Sequence, residues 1–411
     1  MKPLGSIPPG YLAGPNGRLR IGGEDVEALV ARAGDTPLFV YDLGLIRARI
    51  ARLRAAMPAG LGVHYAVKAN PLPALAAAMR PLVDGFDVAS GGELGVALAA
   101  GMPAERISFA GPGKRQAEID AAVAAGATLN VESESEAERA LDAGVRLGKT
   151  PRLAVRVNPS FELKGSGMRM GGGAKPFGVD AARAPALVRR IVAAGADYRG
   201  LHIYAGSQAL DAGAIIEAQA AAVALARSIA LDSGSAAPLV NLGGGFGVPY
   251  FAGDADLDVE AIGAALAVEI AGEEPGHAIE LGRWMVAEAG VYLTRIVDRK
   301  ESMRRIFLVT DGGLHHQLAA SGNFGTVVRR NYPVAIATRF DAAPDEEASI
   351  VGCLCTPLDR LADDAMLPRA ETGDLVAVFM AGAYGASASP AGFLGHAPAP
   401  ELIVVGDGGG A

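Results

Sequence analysis

The sequence predicts an α/β protein built as a (β/α)8 barrel followed by an all-β domain, and three observations carry that expectation. Between about residues 45 and 285, short β-branched runs alternate with Ala/Leu/Arg segments whose apolar residues recur at three and four. There are eight such runs, the number that closes a parallel barrel. Beyond residue 285 the long helical segments stop, and strand-like runs separated by turn residues take over.

Residues 1–44 come first, and their LRIGG and PLFVYD runs are expected to add strands to the β domain. The barrel, expected over 45–284, has strands at GVHYAVKA (62–69), GFDVAS (85–90), ISFAG (107–111), TLNVES (128–133), RLAVRVN (152–158), GLHIYAG (200–206), LVNLGG (239–244) and HAIELG (277–282). Between them lie amphipathic stretches such as LPALAAAMRPLV, ARAPALVRRIVAAG and IIEAQAAAVALARSIALDSG. The β domain, 285–411, reads as VYLTRIVDRKE, RRIFLVTDGG, NYPVAIATRF, EASIVGCLC, DLVAVFMAG and PELIVVGDG, with GDGGGA as a frayed tail.

Composition excludes several classes of function. With 50% hydrophobic and 20% charged residues, and glycine and proline spread along the chain, the protein is globular. A net charge of −8 leaves no basic surface for nucleic acid. No apolar stretch reaches the about 18 to 20 uncharged residues of a membrane span, and the N-terminus lacks the apolar core of a signal peptide. The expectation is a cytoplasmic protein with neither nucleic acid nor membrane as partner. The two cysteines, Cys353 and Cys355, stand too close for an ordinary disulfide and are too few for a zinc site of their own.

A barrel of this kind carries its chemistry at the C-terminal ends of its strands. Lys68, Asp87, Ser90, Glu93, Lys114, Asn158, Tyr204, Ser207, the run Gly243-Gly244-Gly245, Glu280 and Arg283 all fall there. A lysine at such a place is commonly a salt-bridged rim residue, and glycine-rich turns are often just turns. Their combination is more specific. An amine titrates near ~10.4 and must lose a proton to attack a carbonyl, which burial favours. The glycines offer backbone amides to a phosphate, Arg283 a cation for it, and Glu280 a carboxylate that keeps a pyridine nitrogen protonated. Together they describe a site for pyridoxal 5'-phosphate.

The order and spacing of HYAVKANP, FDVASGGEL, RVNP, GLHIYAGSQ, NLGGGFG, ELGR, GCLCTPLDRL and GAYGASAS over nearly the whole chain resemble the fold-type III pyridoxal phosphate decarboxylases, the family of the diaminopimelate, ornithine and arginine decarboxylases. The resemblance implies that Lys68 forms the Schiff base with the cofactor and that Glu280 pairs with its pyridine nitrogen. It implies that Gly243, Gly244, Gly245, Gly282, Arg283, Ser207 and Tyr384 hold the phosphate, and that Asp87, Glu93 and Arg156 line the pocket. It further implies a homodimer in which Cys355, entering from the other subunit with Asp359, protonates the carbanion after carbon dioxide leaves. The residues alone do not rank Cys355 above Cys353.

Two departures from the family pattern bear on substrate. Tyr204 stands where most of these decarboxylases stack a histidine on the cofactor ring, with His202 two residues earlier on the same strand face. Thr356 and Pro357 follow Cys355, where the ornithine and diaminopimelate enzymes place an acid for a distal ammonium. The segment 311–334 supplies His315, His316, Arg329, Arg330 and Tyr332 as candidate contacts for a carboxylate or a larger group, the histidines otherwise serving a β-domain turn. With the insertion-like ELKGSGMRMGGGAKPFG, the pattern is similar to decarboxylases of exosortase and exopolysaccharide gene clusters and to relatives acting on carrier-bound amino acids. The function so read is decarboxylation of an amino acid, diaminopimelate decarboxylase-like or on a carrier-tethered substrate. A racemase on the same barrel and a non-catalytic regulator are the competing readings.

Overall fold

The structure, a computed structural model, describes residues 1–272, 276–322 and 329–406. The chain divides into two compact units: 51–247 with 257–282, and 1–50 with 248–256 and 283–411.

The first unit is a closed parallel barrel. Its strands are β1 (Gly62–Ala66), β2 (Gly85–Val88), β3 (Ile107–Phe109), β4 (Thr128–Val131), β5 (Arg152–Asn158), β6 (Asp197–Ile203), β7 (Leu239–Asn241) and β8 (Gly276–Leu281). They pair in chain order, β4 with β5 included, and β8 returns to β1 with Leu281 opposite Tyr65 and Glu280 opposite His64. Buried on both faces, they read as runs of Val, Ile, Leu and Phe, and Val63, Tyr65, Phe86, Phe109, Leu129 and Val155 are inaccessible to solvent.

Four helices of the outer ring start on side-chain caps. Ser90, Ser133, Asp211 and Asp258 accept from the backbone amides of Glu93, Glu136, Gly213 and Ala261 at the heads of Gly91–Ala99, Glu134–Leu147, Ala212–Ser233 and Val259–Glu269. The 22-residue helix Ala212–Ser233 is long and apolar enough for a membrane span by length and composition, while Glu217, Arg227 and Asp232 keep it from being an uncharged stretch of that length. Its place between β6 and β7 makes it a barrel helix. Two of its charges are paired, Glu217 with Lys164 and Arg227 with Glu269.

Several strands end earlier than the sequence suggests. The first stops at Ala66, and Val67–Ala69 forms a single 3₁₀ turn. Asn70 fixes that turn: its amide donates to Val67 O at 3.0 Å, its carbonyl accepts the Tyr65 hydroxyl at 2.8 Å, and its side chain accepts from Leu72 N at 3.2 Å. Lys68 therefore sits on a turn rather than in a strand. The seventh strand stops at Asn241, because Gly243 takes a positive φ of 72° that no strand accommodates.

The second unit holds an eight-stranded sheet and a separate three-stranded one, in which Leu19–Ile21 pairs with Leu12–Ala13 and Glu24–Asp25. Gly290–Ser302 runs antiparallel to Leu38–Asp42, Leu375–Val378 and Arg305–Thr310, and Glu401–Val404 adds a parallel edge to Leu38–Asp42. The segment 248–256, which the sequence pattern leaves inside the barrel, belongs to this unit, where Tyr250 stacks on Tyr332 at 4.8 Å. Of the expected GDGGGA tail, 407–411 lie outside the described residues.

Gly200 in β6 has φ +111°, and a Cβ there would meet Leu239 O at 1.9 Å, so this crossing of β6 and β7 admits only glycine. Gly200→Ala is expected to cost about 2–4 kcal/mol in urea melts. Gly195→Ala, also at positive φ but with open space around it, should cost about 1 kcal/mol. Equal losses would show that the close approach is not what selects glycine at position 200.

Candidate active site

In the barrel unit the expected residues converge at the C-terminal ends of β1, β2, β6, β7 and β8. The turn after β1 carries Lys68, whose Nζ lies 5.3 Å from the centre of the Tyr204 ring just beyond β6. Glu280, in β8, is buried. Its Oε2 accepts from Asn241 Nδ2 at 3.1 Å and lies 3.0 Å from His202 Nε2, at ion-pair distance although neither ring nitrogen of His202 meets hydrogen-bond geometry. Burial alone would raise the Glu280 pKa; His202, then Lys68 and Arg156, outweigh it and hold the carboxyl down at about 2. Glu280 is thus ionised at any ordinary pH.

A second buried carboxylate behaves the opposite way. Asp87, in β2, is pushed up by burial and by the Glu280 charge, against the pull of His64. His64 Nδ1 lies 3.2 Å from Asp87 Oδ2, and burial, which would lower the imidazole, is outweighed by Asp87 and Glu280, so its pKa rises. The other Asp87 oxygen, Oδ1, is buried without a hydrogen-bond partner.

The glycine run forms a ledge between the ends of β6 and β8. A Cβ on Gly243 would sit 2.6 Å from Ile203 O and 2.9 Å from the Tyr204 ring, one on Gly244 2.1 Å from Glu280 O, and one on Gly245 2.9 Å from Gly206 O. Glu280 N donates to Gly243 O at 2.9 Å, and Gly243 N to Asn241 Oδ1 at 2.9 Å. Gly282 is equally confined, its Cβ position 2.7 Å from that of Ala69. Ser207 lies on a two-residue strand paired with Met168.

Two expected pocket residues have other commitments. Glu93 accepts from Ala89 N at 2.7 Å, and its own amide donates to the N-cap Ser90 at the helix start. Arg156, in β5, gives Nη1 to Glu132 Oε1 at 2.8 Å. Glu132 also takes the Gly111 and Gly178 amides, and Lys114 reaches Glu136 at 2.6 Å in the same buried network. Sequence reasoning missed His64, Asn241, Glu132 and Glu136. The first two stand inside the quoted motifs HYAVKANP and NLGGGFG; nothing local marks the other two.

The remaining candidates lie in the sheet unit. Arg283 gives Nη1 to the Tyr250 hydroxyl at 2.8 Å and lies 4.7 Å from the Tyr384 ring centre, with Nε buried and unpartnered. Its pKa is raised, the tyrosines outweighing burial. Cys355 is exposed and Cys353 half-buried.

The residues expected to contact substrate take the following places in this unit. Asp359 is 2% exposed, and its two oxygens accept the amides of Leu314 and Leu354 of its own chain at 2.7 and 2.8 Å, so it braces the two loops that carry them. His315 is fully buried, and Tyr332 is buried against Tyr250. Arg329 gives Nη2 to Leu358 O at 3.2 Å. Arg330 stacks over Phe251 at 3.8 Å beside Asp254, half-exposed.

The residues of the barrel unit fit pyridoxal phosphate: an amine, an aromatic face, a carboxylate held ionised, an orphaned Asp87 oxygen and a ledge a single Cβ would fill. The family model for the pyridoxal-binding domain of pyridoxal-dependent decarboxylases matches residues 43–294. The chain is 37% identical to the L-glutamyl-[BtrI acyl-carrier protein] decarboxylase of Niallia circulans over 92% of its own length and 91% of that protein's. It is 32% identical to the diaminopimelate decarboxylase of Aquifex aeolicus over 91% and 88%. The crystal structure of diaminopimelate decarboxylase from M. jannaschii with L-lysine superimposes with a TM-score of 0.85 at 26% identity, over 96% and 92% of the two chains. With more than half of its length matched by the family model and its fold shared with these enzymes, the chain belongs to the pyridoxal-dependent decarboxylase family.

Proposed function

We propose that this amino-acid decarboxylase holds pyridoxal phosphate covalently on Lys68 and removes the α-carboxylate of an amino acid of the diaminopimelate type. The observation that carries the site assignment is the buried Glu280 carboxylate, with Oε2 3.1 Å from Asn241 Nδ2 and 3.0 Å from His202 Nε2 at the barrel mouth that also holds Lys68; His202, then Lys68, hold its pKa down against burial. Pyridoxal phosphate, when bound, supplies an electron sink conjugated to the α-carbon. Glu280, held ionised, would be the carboxylate that favours the protonated ring nitrogen of that group. Tyr204 presents the aromatic face, Gly243–Gly245 and Ser207 offer backbone to the phosphate, and Arg283 with Tyr384 is an anion-binding pair within its own unit. The Cys355 thiol delivers the proton that replaces carbon dioxide on the α-carbon. We place that thiol in the barrel site of a second copy, in a cytoplasmic homodimer; its exposure supports the reading.

A carrier-tethered substrate is the second reading. It is favoured by the 37% identity to a decarboxylase named for a carrier-bound glutamyl group, against 28–34% for the diaminopimelate decarboxylases. Thr356 and Pro357 after Cys355 also leave a distal ammonium without an acid there.

Carbon dioxide release from free diaminopimelate, and from a glutamyl-loaded carrier protein, decides between the substrates. In either case Lys68→Ala should lose both turnover and the visible absorption of the bound cofactor; retention of both would sink the assignment of Lys68. His202→Asn removes the main influence that lowers Glu280 and leaves burial to raise it. The acid limb of the pH–rate profile is therefore expected to move to higher pH; an unmoved limb would show that His202 does not hold Glu280 ionised. Mixing refolded Lys68→Ala and Cys355→Ala chains should restore about a quarter of wild-type activity, because half of the dimers are hybrid and each hybrid has one intact site. No recovery would place both residues in one chain's site.

A further inference from the structure

We infer that His315, Cys353 and His396 form a zinc site in the sheet unit, a role that the decarboxylation described above does not use. Their candidate donor atoms, an imidazole nitrogen from each histidine and the Cys353 Sγ, all lie within 4.8 Å of one another. Cys353 Sγ and His396 Nε2 are 3.8 Å apart. Tetrahedral zinc with bonds of ~2.1 Å to nitrogen and ~2.3 Å to sulfur separates the two by about 3.6 Å. A small rotation of the side chains therefore closes the set around one ion.

His315 makes the case independently of that spacing. It is 0% exposed, and among the described residues neither of its ring nitrogens has a hydrogen-bond partner. A buried imidazole is ordinarily satisfied. Its neighbour His316 is: Nδ1 meets the Tyr292 hydroxyl at 3.2 Å and Nε2 the Ala397 carbonyl at 2.9 Å. His316 is therefore the histidine that serves the fold. The His315 ring instead lies with its centre 4.6 Å from that of His396, in the cluster with the Cys353 thiol.

The surroundings support a site built to hold its donors. His315 follows the strand Arg305–Thr310, Cys353 the strand Glu346–Val351, and His396 precedes Glu401–Val404. The Asp359 carboxylate accepts the amide of Leu314, next to His315, and that of Leu354, next to Cys353, and so braces two of the three donor loops from behind. Cys353 and His396 are half-buried, which leaves the ion a route in.

Two imidazoles and one thiolate are a mixed nitrogen and sulfur set of borderline softness, which suits zinc and not magnesium or calcium. On binding, the Cys353 proton leaves to solvent and Sγ bonds the metal. The fourth position falls to water or to an incoming oxygen or nitrogen ligand.

The test uses the full-length holoenzyme, stripped with chelator and titrated with zinc alone against a chromophoric competitor. One equivalent should bind per chain, and the count of thiols reactive toward a disulfide reagent should fall from two, the chain's total, to one. Cobalt(II) in place of zinc should give a sulfur-to-metal charge-transfer band. Cys353→Ser should abolish that band, and Cys353→Ser and His396→Gln, both at half-buried positions, should each weaken zinc binding at least ~10-fold. Cys355→Ser should keep the band, and the cofactor's visible absorption reports that each variant is folded. Substoichiometric zinc, a band that survives Cys353→Ser, or a band lost only in Cys355→Ser would each overturn the site.

Discussion

The chemistry at the mouth of the barrel depends on keeping one carboxylate charged where water is excluded. Glu280 is buried, and a carboxylate in that position would by itself take up a proton. What prevents it comes from other strands: His202 from β6, Asn241 from β7, Arg156 from β5, and Lys68 from the turn after β1. No single strand or hairpin could supply that set. Closure of β8 onto β1 is what makes the barrel an electrostatic device as well as a core, because it places the carboxylate strand beside the lysine strand.

The same arrangement divides labour between two buried acids. Glu280 is driven down and Asp87 up, each partly because of the other. His64 faces Asp87 from the neighbouring strand and takes a raised pKa. The result is a polarised floor, with a fixed negative charge under β8 and a softer acid–imidazole pair under β1 and β2.

Much of this was legible in the sequence, for identifiable reasons. Eight βα units impose a periodicity that survives local noise, so the barrel could be read. Lys68, Glu280 and the glycine run stand at strand ends where the pattern breaks, so they could be picked out. Strand ends were less legible, because Asn70 sets the first through hydrogen bonds to Tyr65, Val67 and Leu72 that only the folded turn reveals. The membership of 248–256 was hidden because it rests on Tyr250 meeting Tyr332 and Arg283, residues distant in sequence. Burial of a polar side chain was the least legible property. His315 and Asp359 look like reactive surface groups in sequence and are both enclosed, the Asp359 carboxylate holding the His315 loop through the amide of Leu314.

The Asp359 brace reaches further than the loops it holds. Gly313 and Gly352 flank its carboxylate so closely that a Cβ on either would lie 2.1 or 2.2 Å from one of its oxygens. The histidine-bearing loop and the cysteine-bearing loop are thereby keyed to one shared side chain and cannot drift apart by independent substitution. A change that reshapes one must be matched in the other.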